Sequence, residues 1–422
     1  MNDLLFSQGN FLSKRFFRPR FQVLWVFGLY FILSGEVMAQ QSQWLWLKDK
    51  AQIKSLDSLI HLSPQWALKT EFYSHALLDS LIQFPNNLKG RNDSLLCEQR
   101  IANVAQSFFE DLSFGNPRPT FKFQGYAFEL RKKEVSQLIQ EYMKKKSIVK
   151  LANHLNSPIE IKILLASLQV QRDSLGSKSA YLEPLVQSIN RYRWLNHVRK
   201  NTLLTVVNIP AASLKVYQGD QVALQMKVVL GRPARPTREL SSQIKNIIIN
   251  PNWFVPRSIA TEELLPEIQK NLRYFYASHL ELLDRNNQVV DAAKVNWKKL
   301  SKEYFPYSFR QRTGVWNTLG IMKITFDNPY RLYLHDTSEK KLFASSKRFY
   351  SHGCIRLEDP IAYGKLLLSP NTLAMDTLNI KGPYHDIPSK WIKVNKKAPL
   401  IIWNNLVDID EKGAVVYWKN VY

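Results

Sequence analysis

The sequence predicts an α+β chain. A mostly helical scaffold region at 40–200 precedes a β-rich domain at 201–422, and a helical capping insertion at 261–313 lies over the sheet. Three observations carry that prediction. Apolar residues recur every three or four positions up to about residue 200. From Leu203 the period falls to two and valine becomes frequent. One polar, helix-like stretch then interrupts the strand-like runs.

The N-terminus is read first. "SKRFFRPR" supplies positive charge, Phe21 to Leu33 is an uncharged apolar run, and Val37 and Ala39 are small residues spaced like a processing site. The run is thirteen residues, short of the roughly 20 that span a bilayer. Residues 1–39 therefore predict a secretory signal peptide cut after Ala39, with an uncleaved anchor as the alternative and the periplasm or cell envelope as the destination.

Helical spacing then runs through "SLDSLIHLSPQWALKTEFYSHALLDSLIQF", "KKEVSQLIQEYMKKKSIVKLANHL", "NSPIEIKILLASLQVQRDSL" and "YLEPLVQSINRYRWLNHV". His61, His75, His154 and His197 are isolated there and predict surface or core positions rather than ligands. In the β-rich part, "LLTVVNIPAASLKVYQGDQVALQMKVVLG" alternates, with "QGDQ" as a hairpin turn. "IKNIIIN", "GIMKITF", "YRLYLH", "LIIWNNLVDI" and "GAVVYW" read as further strands, the last two joined across "DEKG".

Composition narrows the function classes. Apolar residues at 45% and charged residues at 22% describe a globular chain. The formal charge of +23, or +21 without residues 1–39, suits an anionic partner such as an acidic wall polymer, or serves solubility. No RNA-recognition, zinc-finger or helix-turn-helix signature accompanies it, so nucleic acid is not expected as a partner. Of the two cysteines, Cys97 sits at helical spacing and reads as a core residue. A disulfide between Cys97 and Cys354 is the less favoured reading.

Cys354 lies in "RFYSHGCIRLEDP". On a strand "YRLYLH", Arg331, Tyr333 and His335 point to one face, and Leu332 and Leu334 to the core. His335 precedes Ser351 by sixteen residues, enough for a second segment to return beside its strand and bring Cys354 within reach of the imidazole. That pairing activates a thiol, because the base takes its proton and the ion pair holds the thiolate. Gly353 admits a close backbone approach, and the N–H groups around Gly353 and Cys354 could serve as an oxyanion hole. Arg356 could hold a carboxylate or a structural salt bridge, and His352 could touch substrate or brace the loop. Asp336 points to the face opposite His335, so a backbone carbonyl or Ser351 is the expected orienting partner of the imidazole. Cys354, His352 and His335 fall short of a zinc set, and no metal or organic cofactor is expected.

"SHGCIR" with an upstream "HDT" resembles the signature of the YkuD-type L,D-transpeptidase catalytic domain. "NRYRWL", "NIPAASLKVY", "VVLGRPARPT", "NPNWFVPRSIATEELLPEI" and the terminal "LIIWNNLVDIDEKGAVVYWKNVY" resemble landmarks of its larger, YcbB-like branch, so that the likeness covers about residues 190–422. The resemblance implies Cys354 as nucleophile and His335 as proton acceptor and donor, with Tyr333, Ser351, His352, Gly353 and Arg356 lining the site. It implies a transferase on peptidoglycan stem peptides, with a tetrapeptide donor and a diamino-acid acceptor, forming 3→3 cross-links and releasing D-alanine. Other cell-wall enzymes are conceivable partners. "HDTS" departs from the branch, which has proline after the threonine. The rival readings are an L,D-carboxypeptidase, an envelope cysteine protease or amidase, and a non-catalytic wall-binding protein.

Overall fold

The computed structural model describes residues 45–73, 76, 78–80, 90–175, 179–200, 202–376, 378 and 387–422. The expected signal peptide and His75 lie outside these residues. No helix among the described residues is long and apolar enough to cross a membrane.

The helical region contains α1 (Lys50–His61), α2 (Arg91–Phe114), α3 (Lys132–Lys144), α4 (Ile148–Leu155), α5 (Ile159–Leu175) and α6 (Leu182–Val198). On α2 the residues Cys97, Ile101, Ala105, Phe108 and Leu112 form one apolar stripe, buried in a core shared with Leu56, Ile60 and Leu151. Cys97 is thus a core residue, and both cysteines are free thiols. Helix α6 is buried on nearly every side. Its Leu185, Ile189, Tyr192 and Leu195 share a core with Val206 and Ile401 of the sheet. The helical region is therefore welded to the β-rich domain rather than tethered to it.

The strands are β1 (Leu203–Asn208), β2 (Ser213–Gln218), β3 (Gln221–Gly231), β4 (Leu240–Ile249), β5 (Trp253–Phe254), β6 (Leu280–Leu283), β7 (Val289–Val290), β8 (Ser308–Gln311), β9 (Met322–Phe326), β10 (Tyr333–His335), β11 (Phe349–Ser351), β12 (Ile355–Leu357), β13 (Lys390–Lys393), β14 (Pro399–Trp403), β15 (Val407–Ile409) and β16 (Val415–Tyr417). The main sheet runs β3-β12-β10-β9-β4-β14-β1-β2, and β2 pairs back with β3, so the sheet closes on itself. β11 adds to β3 and β13 to β4. The alternation places Val228, Leu230, Ile247, Met322, Ile324, Leu334, Ile355 and Leu357 in one core. Both expected hairpins form, with Gln218 opposite Gln221 and Ile409 opposite Val415.

The capping insertion differs from the expectation. Short helices occur at Arg257–Ile259, Leu265–Lys270 and Arg273–Ala277, but they pack on a four-stranded sheet in the order β5-β8-β6-β7. Its own core holds Trp253, Phe275, Trp297 and Phe309, so the unit begins near residue 253 rather than at 261. Strands of two to four residues are too short to impose a period of two on the sequence, which is why they were hidden.

Candidate active site

The site is built on the face of the sheet opposite that core. Strand β10 pairs antiparallel with β9 and parallel with β12, with His335 opposite Lys323 on one side and Arg356 on the other. Paired residues share a face, and so do residues two apart on a strand. Lys323, Thr325, Tyr333, His335, Cys354 and Arg356 therefore share one surface, and Ile324, Leu334 and Ile355 lie in the core. The long connection after His335 does return, and it brings Cys354 beside Tyr333. Arg331 does not belong to this strand, because it takes a left-handed backbone (φ 57°) in the turn before it.

Ser351 shapes the turn that presents the thiol. Its hydroxyl donates to the Cys354 carbonyl at 2.5 Å and accepts the Gly353 N–H at 3.1 Å. Two expectations change as a result. Ser351 does not orient His335, and the Gly353 N–H is spent on the turn rather than facing a substrate. Gly353 has φ +114°, which only glycine adopts readily, and its carbonyl accepts the Thr237 hydroxyl at 2.7 Å. Thr237 belongs to the loop after β3, where the Gly231 N–H donates to Thr237 Oγ1 at 2.9 Å and the Tyr422 hydroxyl donates to the Gly231 carbonyl at 2.7 Å. A side chain on Gly231 would strike the Arg235 carbonyl, so that loop can press against the cysteine turn only with glycine there.

The electrostatics favour a neutral resting pair. Burial pushes the Cys354 thiol above its ordinary value. Hydrogen bonds from the main chain and phenol of Tyr333, and the charges of Lys323 and Arg356, work against that rise. His335 is 4% exposed, and burial, with the Arg356 and Lys323 charges adding to it, drops its pKa to about 3. The Asp336 carbonyl favours the charged ring slightly, yet Nδ1 has no hydrogen-bond partner of ordinary geometry. Burial of both groups thus works against the expected imidazolium–thiolate pair, and the hydrogen bond to the sulfur comes from Tyr333. Burial and Cys354 raise the Tyr333 hydroxyl, which also receives a hydrogen bond from the Trp253 side chain at the root of the cap.

The other expected residues divide. Asp336 is turned away, as its strand parity requires: its carboxylate accepts the Ile321 N–H at 3.0 Å and pairs with Lys340 at 2.5 Å. Arg356 pairs with Glu339 and keeps its Nε without a partner. His352 is a brace to the cap, with Nε2 2.7 Å from Glu263, whose carboxylate also pairs with Arg232 at 3.3 Å. A second clasp joins Arg235 to Glu262 at 2.8 Å. Lys323 was missed by sequence reasoning. Its ammonium stands 4.1 Å from the Tyr333 ring centre, is partly desolvated, and has no carboxylate within 4 Å among the described residues. The alternation of "GIMKITF" was the available signal, since it places Lys323 on the face away from Met322 and Ile324. Among the described residues no group of three or more His, Cys, Asp or Glu is arranged to hold a metal.

Residues 204–371 match the YkuD family, the L,D-transpeptidase catalytic domain. A "Putative L,D-transpeptidase" of Haemophilus influenzae is 33% identical over 162 residues, which is 38% of this chain and 33% of that protein, so the match spans about a third of the relative's length. An L,D-transpeptidase structure from Mycobacterium smegmatis superposes with a TM-score of 0.22 at 14% identity, over 47% of this chain and 58% of that one. A cysteine-to-serine variant of an Enterococcus faecium L,D-transpeptidase gives 0.24 at 9% identity, over 72% and 82%. Residues 204–371, within the β-rich part of the chain, are thus similar to the YkuD-type L,D-transpeptidase catalytic domain.

Proposed function

We propose that this chain is an exported transpeptidase of the YcbB-like branch that joins peptidoglycan stem peptides by 3→3 cross-links through a thioester on Cys354. The observation that carries the reading is the single sheet face shared by Cys354, Tyr333, His335, Lys323 and Arg356. The thiol attacks the carbonyl carbon of the third, diamino-acid residue of a tetrapeptide donor, and its proton passes to the neutral His335 as the C–S bond forms. The cations of Lys323 and Arg356 stabilise the negative charge that develops on sulfur. The Tyr333 phenol, held beside the sulfur by Trp253, then donates to the substrate oxyanion. His335 then protonates the amine of D-alanine as the C–N bond breaks, leaving the thioester. The side-chain amine of a second stem attacks it, His335 takes the amine proton, and Cys354 leaves as the thiol.

The cap, clasped by Glu262 and Glu263, keeps water from the thioester and so favours the amine. The test is incubation with purified tetrapeptide muropeptides and mass analysis of the products. A 3→3 dimer with one equivalent of D-alanine is expected, and neither product from Cys354→Ala. Release of D-alanine without dimer overturns the transfer step, and cross-linking by Cys354→Ala overturns the nucleophile.

A further inference from the structure

The helical region holds a second site with no part in the chemistry above. A cavity of about 390 Å³ opens between α2, α3, the start of α5 and the end of α6. One wall is apolar, with Leu112, Val135, Leu138 and Ile161. The other presents Arg193 and Asn196 from α6.

Arg193 is 2% exposed and has no carboxylate within 4 Å among the described residues. Its guanidinium donates to Asn190 Oδ1 at 3.2 Å and Asn156 Oδ1 at 2.9 Å, and its Nε has no partner. Asp111, the carboxylate whose charge bears on Arg193, is taken up by Tyr73, Asn116 and Arg118. Burial lowers the Arg193 pKa only to about 10, so the side chain stays charged at neutral pH. Asn196 is 8% exposed, and both its Oδ1 and Nδ2 lack partners. Of the other charges at the cavity, Arg131 pairs with Glu134 at 3.0 Å and Arg199 with Glu160 at 2.9 Å and Asp220 at 3.5 Å, while Lys200 adds a second cation at the rim. His197 accepts the Arg131 N–H at 3.2 Å and is neutral, so it adds no charge. A buried cation without an anion, beside an amide offering a free donor and a free acceptor, is costly unless a ligand satisfies both.

We infer that this cavity binds an acylated amino acid or short peptide through its free C-terminal carboxylate. Arg193 takes the carboxylate, Asn196 pairs with the adjacent amide, and the apolar wall receives the side chain. A bare inorganic anion would leave the asparagine unpaired and the apolar wall unfilled. The inference does not rest on the proposed reaction, because no residue of the Cys354 face takes part.

The experiment is titration calorimetry of the full chain with N-acetyl-Leu-Ala as the free acid and as its C-terminal amide. The acid is expected to bind in the sub-millimolar range and the amide at least tenfold more weakly. Arg193→Met should cost the acid at least tenfold, and Cys354→Ala nothing. Because Arg193 is buried, Ile159→Trp serves as a second variant: Ile159 lines the cavity yet is 65% exposed, so a larger side chain there blocks the mouth without entering a core. Equal affinity for acid and amide overturns the inference. So does undiminished binding in both variants, or no saturable binding of the acid in the millimolar range.

Discussion

Replacing Ser351 with alanine should remove the pin that holds the catalytic turn. Ser351 is 2% exposed, and its hydroxyl satisfies both the Cys354 carbonyl and the Gly353 N–H. Neither group gains water when the hydroxyl is deleted, and each stranded polar group costs about 1–3 kcal/mol, so the loss should be about 2–6 kcal/mol. For a unit the size of residues 201–422, each kcal/mol shifts the melting temperature by about 2–4 °C, which gives a fall of roughly 4–24 °C. Ser351→Thr keeps the hydroxyl and should recover most of it. The assay is a thermal melt paired with the rate of Cys354 alkylation by iodoacetamide. The alanine variant should lose both, since a relaxed turn no longer holds the sulfur against Tyr333. If it melts within a degree or two of wild type and alkylates at the same rate, the serine is not the pin.

Other perturbations bear on separate parts of the account. Lys323→Met should raise the pH at which Cys354 alkylates, with Lys323→Arg restoring it; an unchanged inflection removes Lys323 from the site's electrostatics. Burial holds His335 near 3 and His197 near 4, below the 6.5 of a free imidazole. The unfolded chain therefore takes up protons first, and stability falls as pH drops through 6.5 towards these values. His197→Gln should flatten that fall between pH 6.5 and 4 in urea titrations, and an equally steep fall contradicts the assignment. Glu263→Gln weakens a partly exposed clasp, so stability should change by less than about 1 kcal/mol. D-alanine release without cross-linking should rise in that variant; an unaltered product ratio shows that the clasp does not guard the thioester.

The sequence exposed the main strands because each has one face in a core, and alternation survives wherever a strand is long enough to show it. It also exposed the cysteine–histidine spacing. It did not expose β11 and β12, three residues each, because "SHGC" breaks the pattern between them. The neighbours of Cys354 depend on register. Only the pairing of His335 with Lys323 shows that a lysine from β9 faces the thiol. Ser351 and His352 were singled out by position in the motif, but their partners, a backbone turn and a glutamate of the cap, come from tertiary packing. The buried Arg193 was invisible for the same reason. "NRYRWL" gives three polar side chains in one helical turn, and only the packing around α6 decides which of them is enclosed.

The central claim is that Cys354 is the acyl acceptor, and intact mass analysis after exposure to a carbapenem tests it most directly. The chain carries its own control, since Cys97 is a thiol buried in the helical core and pushed up by that burial. One adduct is predicted, mapping to the peptide that contains Cys354, absent from Cys354→Ala and slowed in His335→Ala. No adduct, or an adduct that survives in Cys354→Ala, contradicts the account.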